Sequence, residues 1–277
     1  KSHELIALDE CPVARPAIVA ALAKLRDIAG YLLSGKDEIG LLVTETAAGL
    51  DLHVTGLSKE TKPLARAQAA SAALHAGFAR VSIGQADVLT ERRPTLPAGA
   101  ANLLPPPGSF LQASAEAEVE MERIVREHLK FASNVADLFS GCGTFALRLA
   151  AESRVLAAES NAAAIDALKE SARDALGLKP VRAEVRDLFR NPYGAAELAH
   201  IDGVVLEPPR AGAAAQVAEL AKSCVPRIAY VSCDAATLAR DLRRLVDGGY
   251  RIIRIHPIDQ FLWSAHVEAV ALLERPG

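Results

Sequence analysis

The sequence predicts an α/β protein whose second half is a doubly wound sheet, and three observations support this. Strand and helix signals alternate regularly after residue 109, as parallel crossover units require. A glycine-rich turn, DLFSGCGTF, joins the first of these strands to a helix, where such sheets bind cofactors. The last two strands, 251–255 and 266–273, are joined by a short loop, so the final strand is predicted to be antiparallel to its neighbour.

The composition is that of a globular protein outside the membrane. The chain has 277 residues, of which 51% are hydrophobic, yet no apolar run approaches the ~20 residues of a membrane span. We therefore expect no membrane association and a cytoplasmic location. The net charge of −3 argues against nucleic-acid binding through bulk positive charge and leaves a local basic face open. Because the only methionine is Met121, we expect further residues before Lys1 in the natural protein.

Residues 1–108 predict a smaller α+β domain. Their last part, 94–108, contains three consecutive prolines and is predicted to be a linker. No catalytic constellation is visible in this part, so an independent domain and a structural extension of residues 109–277 are equally compatible with the pattern. The predicted helices are 18–33 and 62–75, and the predicted strands are 38–43, 50–54, 78–83 and 87–91.

Polar residues follow the strands predicted within 109–277. Gly141 and Gly143 tolerate positive φ and allow a ligand to approach the backbone. Glu159, eighteen residues after Gly141, can accept hydrogen bonds from ribose hydroxyls. Asp187 fits an adenine contact and a helix cap equally well. Glu207, followed by two prolines, is hard to explain structurally. The parallel strands are predicted at 134–139, 155–159, 181–185, 203–207 and 228–232.

The four cysteines are widely spaced and contain no C-x-x-C pair, so we expect reduced thiols and neither disulfides nor a self-contained zinc site. Cys233 follows the fifth strand at the sheet edge that carries the glycine turn, which favours a functional over a structural thiol. Cys142 and Cys224 fit a structural role. Glu268, in an otherwise apolar strand, is either solvated at a sheet edge or functional, and His266 would point to the same side.

Together these motifs resemble the RNA uracil-C5 methyltransferases, which use S-adenosylmethionine on ribosomal or transfer RNA. The resemblance covers Ser109 to the C-terminus and is specific in its spacing. It implies a class I methyltransferase with a Rossmann-like sheet and a C-terminal antiparallel hairpin, preceded by the smaller domain. The matching segments are FLQ at 110–112, DLFSGCGTF, EPPR, SCDAATLARDL at 232–242 and HVE at the end.

The resemblance also implies roles for individual residues. Cys233 would be the nucleophile and Glu268 the general base, while Phe110 and Arg210 would contact RNA. The segment ECPVARP around Cys11 resembles the place where bacterial ribosomal members supply the last ligand of a 4Fe–4S cluster, with the other ligands upstream. The residues expected to hold S-adenosylmethionine are Gln112, Phe139, Gly141, Gly143, Thr144, Glu159, Asp187 and Glu207.

Five positions depart from the family pattern. Glu207 stands for an Asp, Thr144 and Ser114 each for an Asn, and Asp234-Ala235 for Asn-Pro. We predict uracil-C5 methylation of ribosomal RNA, 23S in particular, without an obligate protein partner, and transfer RNA is the alternative substrate. Two other classes stay open: a class I methyltransferase acting on nitrogen, against which EPPR argues, and a non-catalytic RNA-binding relative.

Overall fold

The computed structural model describes residues 6–33, 38–58, 61–84 and 87–276. It contains two compact units, Lys1–Leu96 and Pro97–Gly277. The division falls inside the predicted linker 94–108, part of which forms a two-stranded sheet of β5 (Leu96–Ala98) and β6 (Ala101–Leu103). Strand β6 contacts helices of the second unit, and the N–H of Leu104 donates to Ser171 Oγ at 3.3 Å. The proline-rich segment therefore contributes ordered structure to that unit.

The first unit has a four-stranded sheet in the order β1 (Gly40–Thr46), β2 (Gly49–Thr55), β3 (Arg80–Ile83) and β4 (Asp87–Thr90). Strands β2 and β3 are parallel, and the outer pairs are antiparallel. The helix predicted over 18–33 is interrupted at Ala21, whose N–H donates to Ile18 O in a tightened turn. A buried ion pair joins Asp51 and Arg80 at 2.6 Å. The helices of this unit are α1 (Pro16–Ala20), α2 (Leu22–Leu32) and α3 (Pro63–His75).

The second unit contains a seven-stranded sheet flanked by helices. The extended piece predicted at 110–113 is irregular and joins no sheet. The helices are α4 (Ala115–Leu129), α5 (Thr144–Leu149), α6 (Ala162–Asp174), α7 (Ala214–Leu220) and α8 (Ala235–Asp247). The strands are β7 (Asn134–Leu138), β8 (Arg154–Glu159), β9 (Val181–Val185), β10 (Gly203–Leu206), β11 (Arg227–Ser232), β12 (Arg251–Ile258) and β13 (Glu268–Glu274).

The strand order is β12-β13-β11-β10-β7-β8-β9. Strands β7 to β11 are parallel, whereas β13 is antiparallel to both of its neighbours. This confirms the doubly wound sheet with a C-terminal antiparallel hairpin. Because the chain runs outward in one direction from β7 and in the other from β10, a crevice opens between their carboxyl ends.

Apolar periodicity and caps explain why the flanking helices form. Helix α4 buries Met121, Val125 and Leu129 on one face, and α8 buries an apolar stripe containing Leu238, Leu242 and Leu245. The central strands bury nearly all their side chains, as expected when helices cover both faces of a parallel sheet. None of the helices in the described residues is long and apolar enough to cross a membrane.

Candidate active site

A cavity of about 490 Å³ lies in the second unit, at the carboxyl ends of the parallel strands. It brings together ten of the residues predicted from the sequence. Gly143 and Asp187 do not line it, and Cys11 is a half-buried residue of the first unit. The predicted residues that line the cavity are Phe110, Gln112, Phe139, Gly141, Thr144, Glu159, Glu207, Arg210, Cys233 and Glu268.

The two glycines of the turn serve different purposes. Both have positive φ, +52° at Gly141 and +99° at Gly143. A Cβ at Gly141 would meet nothing within 4 Å, whereas one at Gly143 would lie 2.4 Å from Leu168 Cδ1. Gly141 thus leaves room in the cavity, and Gly143 allows α6 to pack on the turn. Phe139 also has positive φ, +65°, a strained conformation that turns the chain out of β7.

Two acids follow β8 and β9. Glu159 lines the cavity, and its Oε1 accepts hydrogen bonds from Ser160 Oγ at 2.9 Å and the N–H of Asn161 at 2.8 Å. Asp187 Oδ1 accepts from the N–H groups of Phe189 at 3.0 Å and Arg190 at 3.2 Å, so it caps a turn. The capping interpretation of Asp187 therefore applies, and its adenine contact stays a prediction.

Several carboxyl groups lie near Glu207, which lines the cavity. Gln112 Nε2 donates to Glu207 Oε1, yet burial and the nearby Asp137, Glu268 and Glu118 raise the pKa of Glu207 well above its usual range. Burial also raises the pKa of Asp137 to about 7, although the backbone N–H of Ala146 opposes the shift. Neither oxygen of Asp137 forms a hydrogen bond of good geometry with the described residues.

The Glu207 carboxyl group, which lines the cavity with Asp137 near it, makes the site suited to a positive ligand. A nearby cation favours the ionised carboxylates and reverses the effect of burial. S-adenosylmethionine has a positively charged sulfonium and an ammonium group, so the carboxyl groups of this site fit it. The cavity also has a polar wall at Glu159, the last residue of β8. Its apolar wall is formed by the aromatic rings of Phe139 and Phe189, whose centroids are 5.3 Å apart.

Cys233 lies between β11 and α8, where the strand ends at the cavity. Burial and Glu268 raise the pKa of its thiol, while a hydrogen bond from Arg210 and the charge of that guanidinium lower it. Cys142 is buried with a pKa raised to about 12, which fits a structural role, and Cys224 is exposed. Of these three thiols, only that of Cys233 faces both the cavity and a cation.

Glu268 is the first residue of β13 and is 3% exposed. The alternative that Glu268 is solvated at a sheet edge is therefore wrong, because β13 lies inside the sheet, between β12 and β11. Burial raises the pKa of Glu268, and Gln260 and Arg210 oppose this by stabilising the ionised form. The expectation that His266 shares its side is also wrong: His266 is exposed and precedes the strand, with its ring 6.4 Å from that of Phe261.

Two of the departures from the family pattern keep a local function. Ser114 Oγ accepts from the N–H of Ala117 at 3.2 Å and caps α4. Asp234 Oδ1 accepts from the N–H of Thr237 at 2.8 Å and caps α8 directly after Cys233. Ser, Asp and Asn are all good N-cap residues, so these substitutions preserve the helix starts.

Sequence reasoning missed several residues of the site, and three of them have polar or aromatic side chains that contact it. Phe189 and Ser160 line the cavity, and Gln260 contacts Gln112. Phe189 directly follows the capped turn in VRDLF, and Ser160 directly follows Glu159, so adjacency to predicted residues was an available signal. For Gln260, a polar residue before the aromatic loop, the sequence offered no comparable signal.

Among the described residues, no group of three or more His, Cys, Asp or Glu side chains could hold a metal ion. In the expected iron–sulfur cluster the other ligands would come before Lys1, so the role of Cys11 stays a prediction.

Known proteins similar to this chain include RNA methyltransferases. A Mesorhizobium japonicum protein named as an uncharacterized RNA methyltransferase is 50% identical over 275 residues, covering 99% of this chain and 66% of that protein. A 23S rRNA (uracil(1939)-C(5))-methyltransferase from Chromohalobacter salexigens is 41% identical over 172 residues, covering 61% of this chain and 35% of that protein. The chain thus spans about two thirds of the length of relatives such as the Mesorhizobium protein.

The fold is shared with a solved structure. The Pyrococcus abyssi tRNA (uracil-54, C5)-methyltransferase, in complex with S-adenosyl-L-homocysteine, matches with a TM-score of 0.78 and 24% identity, covering 98% of this chain and 69% of that chain. The model of one protein family, described as tRNA (Uracil-5-)-methyltransferase, matches residues 105–276. The chain therefore belongs to the tRNA (uracil-5-)-methyltransferase family.

Proposed function

We propose that this protein methylates C5 of a uridine in RNA, with S-adenosylmethionine as the methyl donor and a covalent adduct between Cys233 and C6 of the base. One observation carries the proposal. Cys233 and Glu268 line the same cavity as Glu159 and Glu207, so a nucleophile, a base and carboxyl groups for a cationic cofactor are brought together. Family membership supports the same chemistry.

The reaction explains why both residues are needed. Uracil C5 is a poor nucleophile until the Cys233 thiolate adds to C6, which forms a C–S bond and turns the ring into an enolate. S-adenosylmethionine, when bound, supplies an electrophilic methyl group to C5. The Glu268 carboxylate then removes the C5 proton, the electron pair restores the C5–C6 double bond, and the C–S bond breaks to release the thiolate.

The cofactor would lie along the carboxyl ends of β7, β8 and β10. Glu207 and Gln112 would hold its charged end, and Glu159 would accept from the ribose hydroxyls. Phe139 and Phe189 would contact the adenine ring. The open space at Gly141 would admit the ligand close to the backbone, beside Thr144 and the turn at Gly143, and Asp187 would approach the adenine amino group.

The RNA would enter beside Phe110 and Arg210, two exposed residues that line the cavity. Phe110 is 75% exposed, and Trp263, on the loop before β13, is 80% exposed. The target uridine must leave a base stack or lie in a single-stranded loop, and exposed aromatic rings can stack on such a base. We favour ribosomal RNA, 23S in particular, because of the resemblance at Cys11, with a 4Fe–4S cluster in the longer protein. The protein would act in the cytoplasm without an obligate protein partner.

Tritium release from RNA labelled at uracil C5 tests this function. The full-length protein is compared with Cys233→Ala and with Cys224→Ala, a matched control at an exposed thiol. We expect release that is lost in Cys233→Ala and kept in Cys224→Ala. Methyl incorporation without tritium release would overturn the proposal in favour of methylation at nitrogen. Cofactor binding without methyl incorporation into ribosomal or transfer RNA would favour a non-catalytic RNA-binding relative.

A further inference from the structure

A groove of about 440 Å³ lies at the end of the seven-stranded sheet that is opposite to the cavity of the candidate active site. Arg227, the first residue of β11, lines the groove, whereas Cys233, directly after the last residue of β11, lines the cavity. The six residues of β11 therefore place the two about 20 Å apart. We call this the rear groove, and its lining includes Phe131, Arg227, Arg254 and His256.

Phe131 is an exposed aromatic ring with two cations beside it. It follows the C-terminal end of α4 and is 76% exposed. Lys130 Nζ lies 5.2 Å and Arg227 Cζ lies 5.9 Å from the centroid of its ring. Packing in the core does not explain this phenylalanine, because most of its surface faces solvent. An exposed ring near cations is the arrangement on which single-stranded nucleic acids stack their bases.

The rear groove has more cations than acids. Lys130 and Arg227 form ion pairs with the two glutamates of the lining, and Arg123 pairs with Glu120 of α4 at 2.6 Å. Arg254 is exposed and has no ion-pair partner among the described residues. Its guanidinium is therefore available to a phosphate. The charged residues of the lining are Arg123, Lys130, Arg227 and Arg254 against Glu127 and Glu274.

Strand β12 connects the rear groove to the cavity. It is the outermost strand of the sheet, and Arg254, His256 and Ile258 alternate along it on one face. Ile258 lies opposite Glu268, which lines the cavity, and Phe261 after the end of the strand lines the cavity too. A strand of RNA that leaves the cavity along β12 would thus meet His256 and then Arg254.

The chemistry of the rear groove favours RNA over a protein partner. Because the net charge of the chain is −3, affinity for RNA has to come from local basic surfaces. A protein partner would need a continuous apolar patch, whereas the exposed apolar residues of this lining are Phe131 and Ile253. A free guanidinium beside an exposed ring matches the phosphate and the base of a single strand.

We propose that the rear groove binds the single-stranded RNA that flanks the target uridine, with Arg254 on a phosphate and Phe131 stacked on a base. The inference rests on the proposed function, because the target uridine is taken to occupy the cavity. The two contacts differ in kind. Arg254 contributes a salt-dependent attraction that releases counterions, and Phe131 contributes stacking that does not depend on salt.

The test is binding of the full-length protein to a fluorescein-labelled oligouridylate of about 16 nucleotides, followed by fluorescence anisotropy at several salt concentrations. Phe131→Ala should weaken binding by about fivefold or more without changing the salt dependence. Arg254→Ala should reduce the slope of log affinity against log salt by about 0.7, the value of one phosphate contact, whereas Arg254→Lys should keep it. The control is Arg243→Ala, an exposed arginine of α8 that pairs with Asp247 and should change neither quantity.

Photocrosslinking locates the contact directly. A 4-thiouridine-substituted oligouridylate should crosslink to the peptide that contains Phe131, as identified by mass spectrometry. Unchanged affinity and salt slope in both Phe131→Ala and Arg254→Ala, or crosslinks that avoid the rear groove, would overturn the inference. It would also be overturned if Phe131→Ala left RNA binding intact and converted a dimer to a monomer, because the groove would then bind a second copy of the chain. Neither readout needs methyl transfer, so a lack of Cys233-dependent tritium release would refute the proposed function separately.

Discussion

Tyr230 Oη donates a hydrogen bond to Asp241 Oδ2 at 2.7 Å inside the core of the second unit. The same oxygen accepts from the N–H of Ala213 at 2.7 Å, and Arg240 Nε donates to Oδ1 at 2.9 Å. Burial and Asp241 raise the pKa of Tyr230, so the phenol remains a donor. These bonds join β11 to α8 on either side of Cys233 and so fix the turn that carries the thiol.

Asp241→Ala should therefore be strongly destabilising. Two buried donors, Tyr230 Oη and the N–H of Ala213, lose their acceptor, which costs about 3 kcal/mol or more. Tyr230→Phe removes one bond and should cost about 1 kcal/mol. Urea unfolding measures both. Asp247→Ala, which breaks an exposed ion pair on the same helix, is the control and should change the free energy of unfolding little. Equal effects of Asp241→Ala and Asp247→Ala would refute the anchoring role.

The two glycines of the turn should respond differently to Ala. Gly141→Ala places a Cβ in open space, so the free energy of unfolding should fall by only about 1 kcal/mol, the cost of a positive φ. The added methyl group narrows the cavity and should weaken cofactor binding. Gly143→Ala forces Leu168 aside and should be more destabilising, by about 2 kcal/mol or more. Urea unfolding and titration with S-adenosylmethionine separate the effects. The interpretation fails if Gly141→Ala unfolds more readily than Gly143→Ala.

The sequence allowed the sheet and much of the site to be predicted because their signals are local. DLFSGCGTF, EPPR and SCD each lie at the carboxyl end of a strand, and the carboxyl ends of parallel strands converge at one edge. The burial of Glu268 was not readable, because it depends on β13 lying inside the sheet. The bond between Gln260 and Gln112 joins residues 148 apart in the chain, and no periodicity reports such a contact.

The linker and the turn glycines show the same limit. Three prolines in 105–107 favoured a linker, yet the two strands just before them pair with each other, and β6 packs on helices α5 and α6. Gly141 and Gly143 look equivalent in sequence, and only the position of Leu168 distinguishes them. Local propensity identifies turns, but tertiary packing decides what each turn contacts.

Glu207 should make cofactor binding depend on pH. In the free protein its pKa is raised well above the usual range, so binding a cation ionises it and releases a proton. Affinity for S-adenosylmethionine should therefore increase with pH. Glu207→Gln should weaken binding by about tenfold or more, which corresponds to about 1.4 kcal/mol, and flatten this dependence. S-adenosylhomocysteine, which lacks the sulfonium charge, should be affected less. Calorimetric titration checks both ligands, and an equal loss for the two would contradict the electrostatic argument.

Asp137 should lower the stability of the protein as the pH rises. Its pKa is raised to about 7 by burial, from 3.8. The stability that the protonated Asp137 allows is fully present below the pKa of the unfolded state. It is lost as the pH rises through the folded pKa, so the free energy of unfolding should decrease between a pH of about 4 and about 7. The side chain of Asp137→Asn stays neutral, so this variant should not show the decrease in the free energy of unfolding, which is of the order of 4 kcal/mol in wild type. Urea unfolding across this range measures it. A constant difference between the two proteins would rule out this titration.

Arg210 should control the reactivity of Cys233. Burial and Glu268 raise the pKa of the thiol, and Arg210 opposes them. Arg210→Met should raise that pKa further, so less thiolate exists at neutral pH and the midpoint for alkylation moves upward. Arg210→Lys keeps the charge and should lie between wild type and Met. Alkylation by iodoacetamide, resolved by mass spectrometry, measures this without RNA, and the exposed Cys224 serves as an internal reference. If the pH midpoint for alkylation of Cys233 were the same in all three proteins, activation of the thiol by Arg210 would be excluded. The thiolate would then have to form through contacts with the bound base.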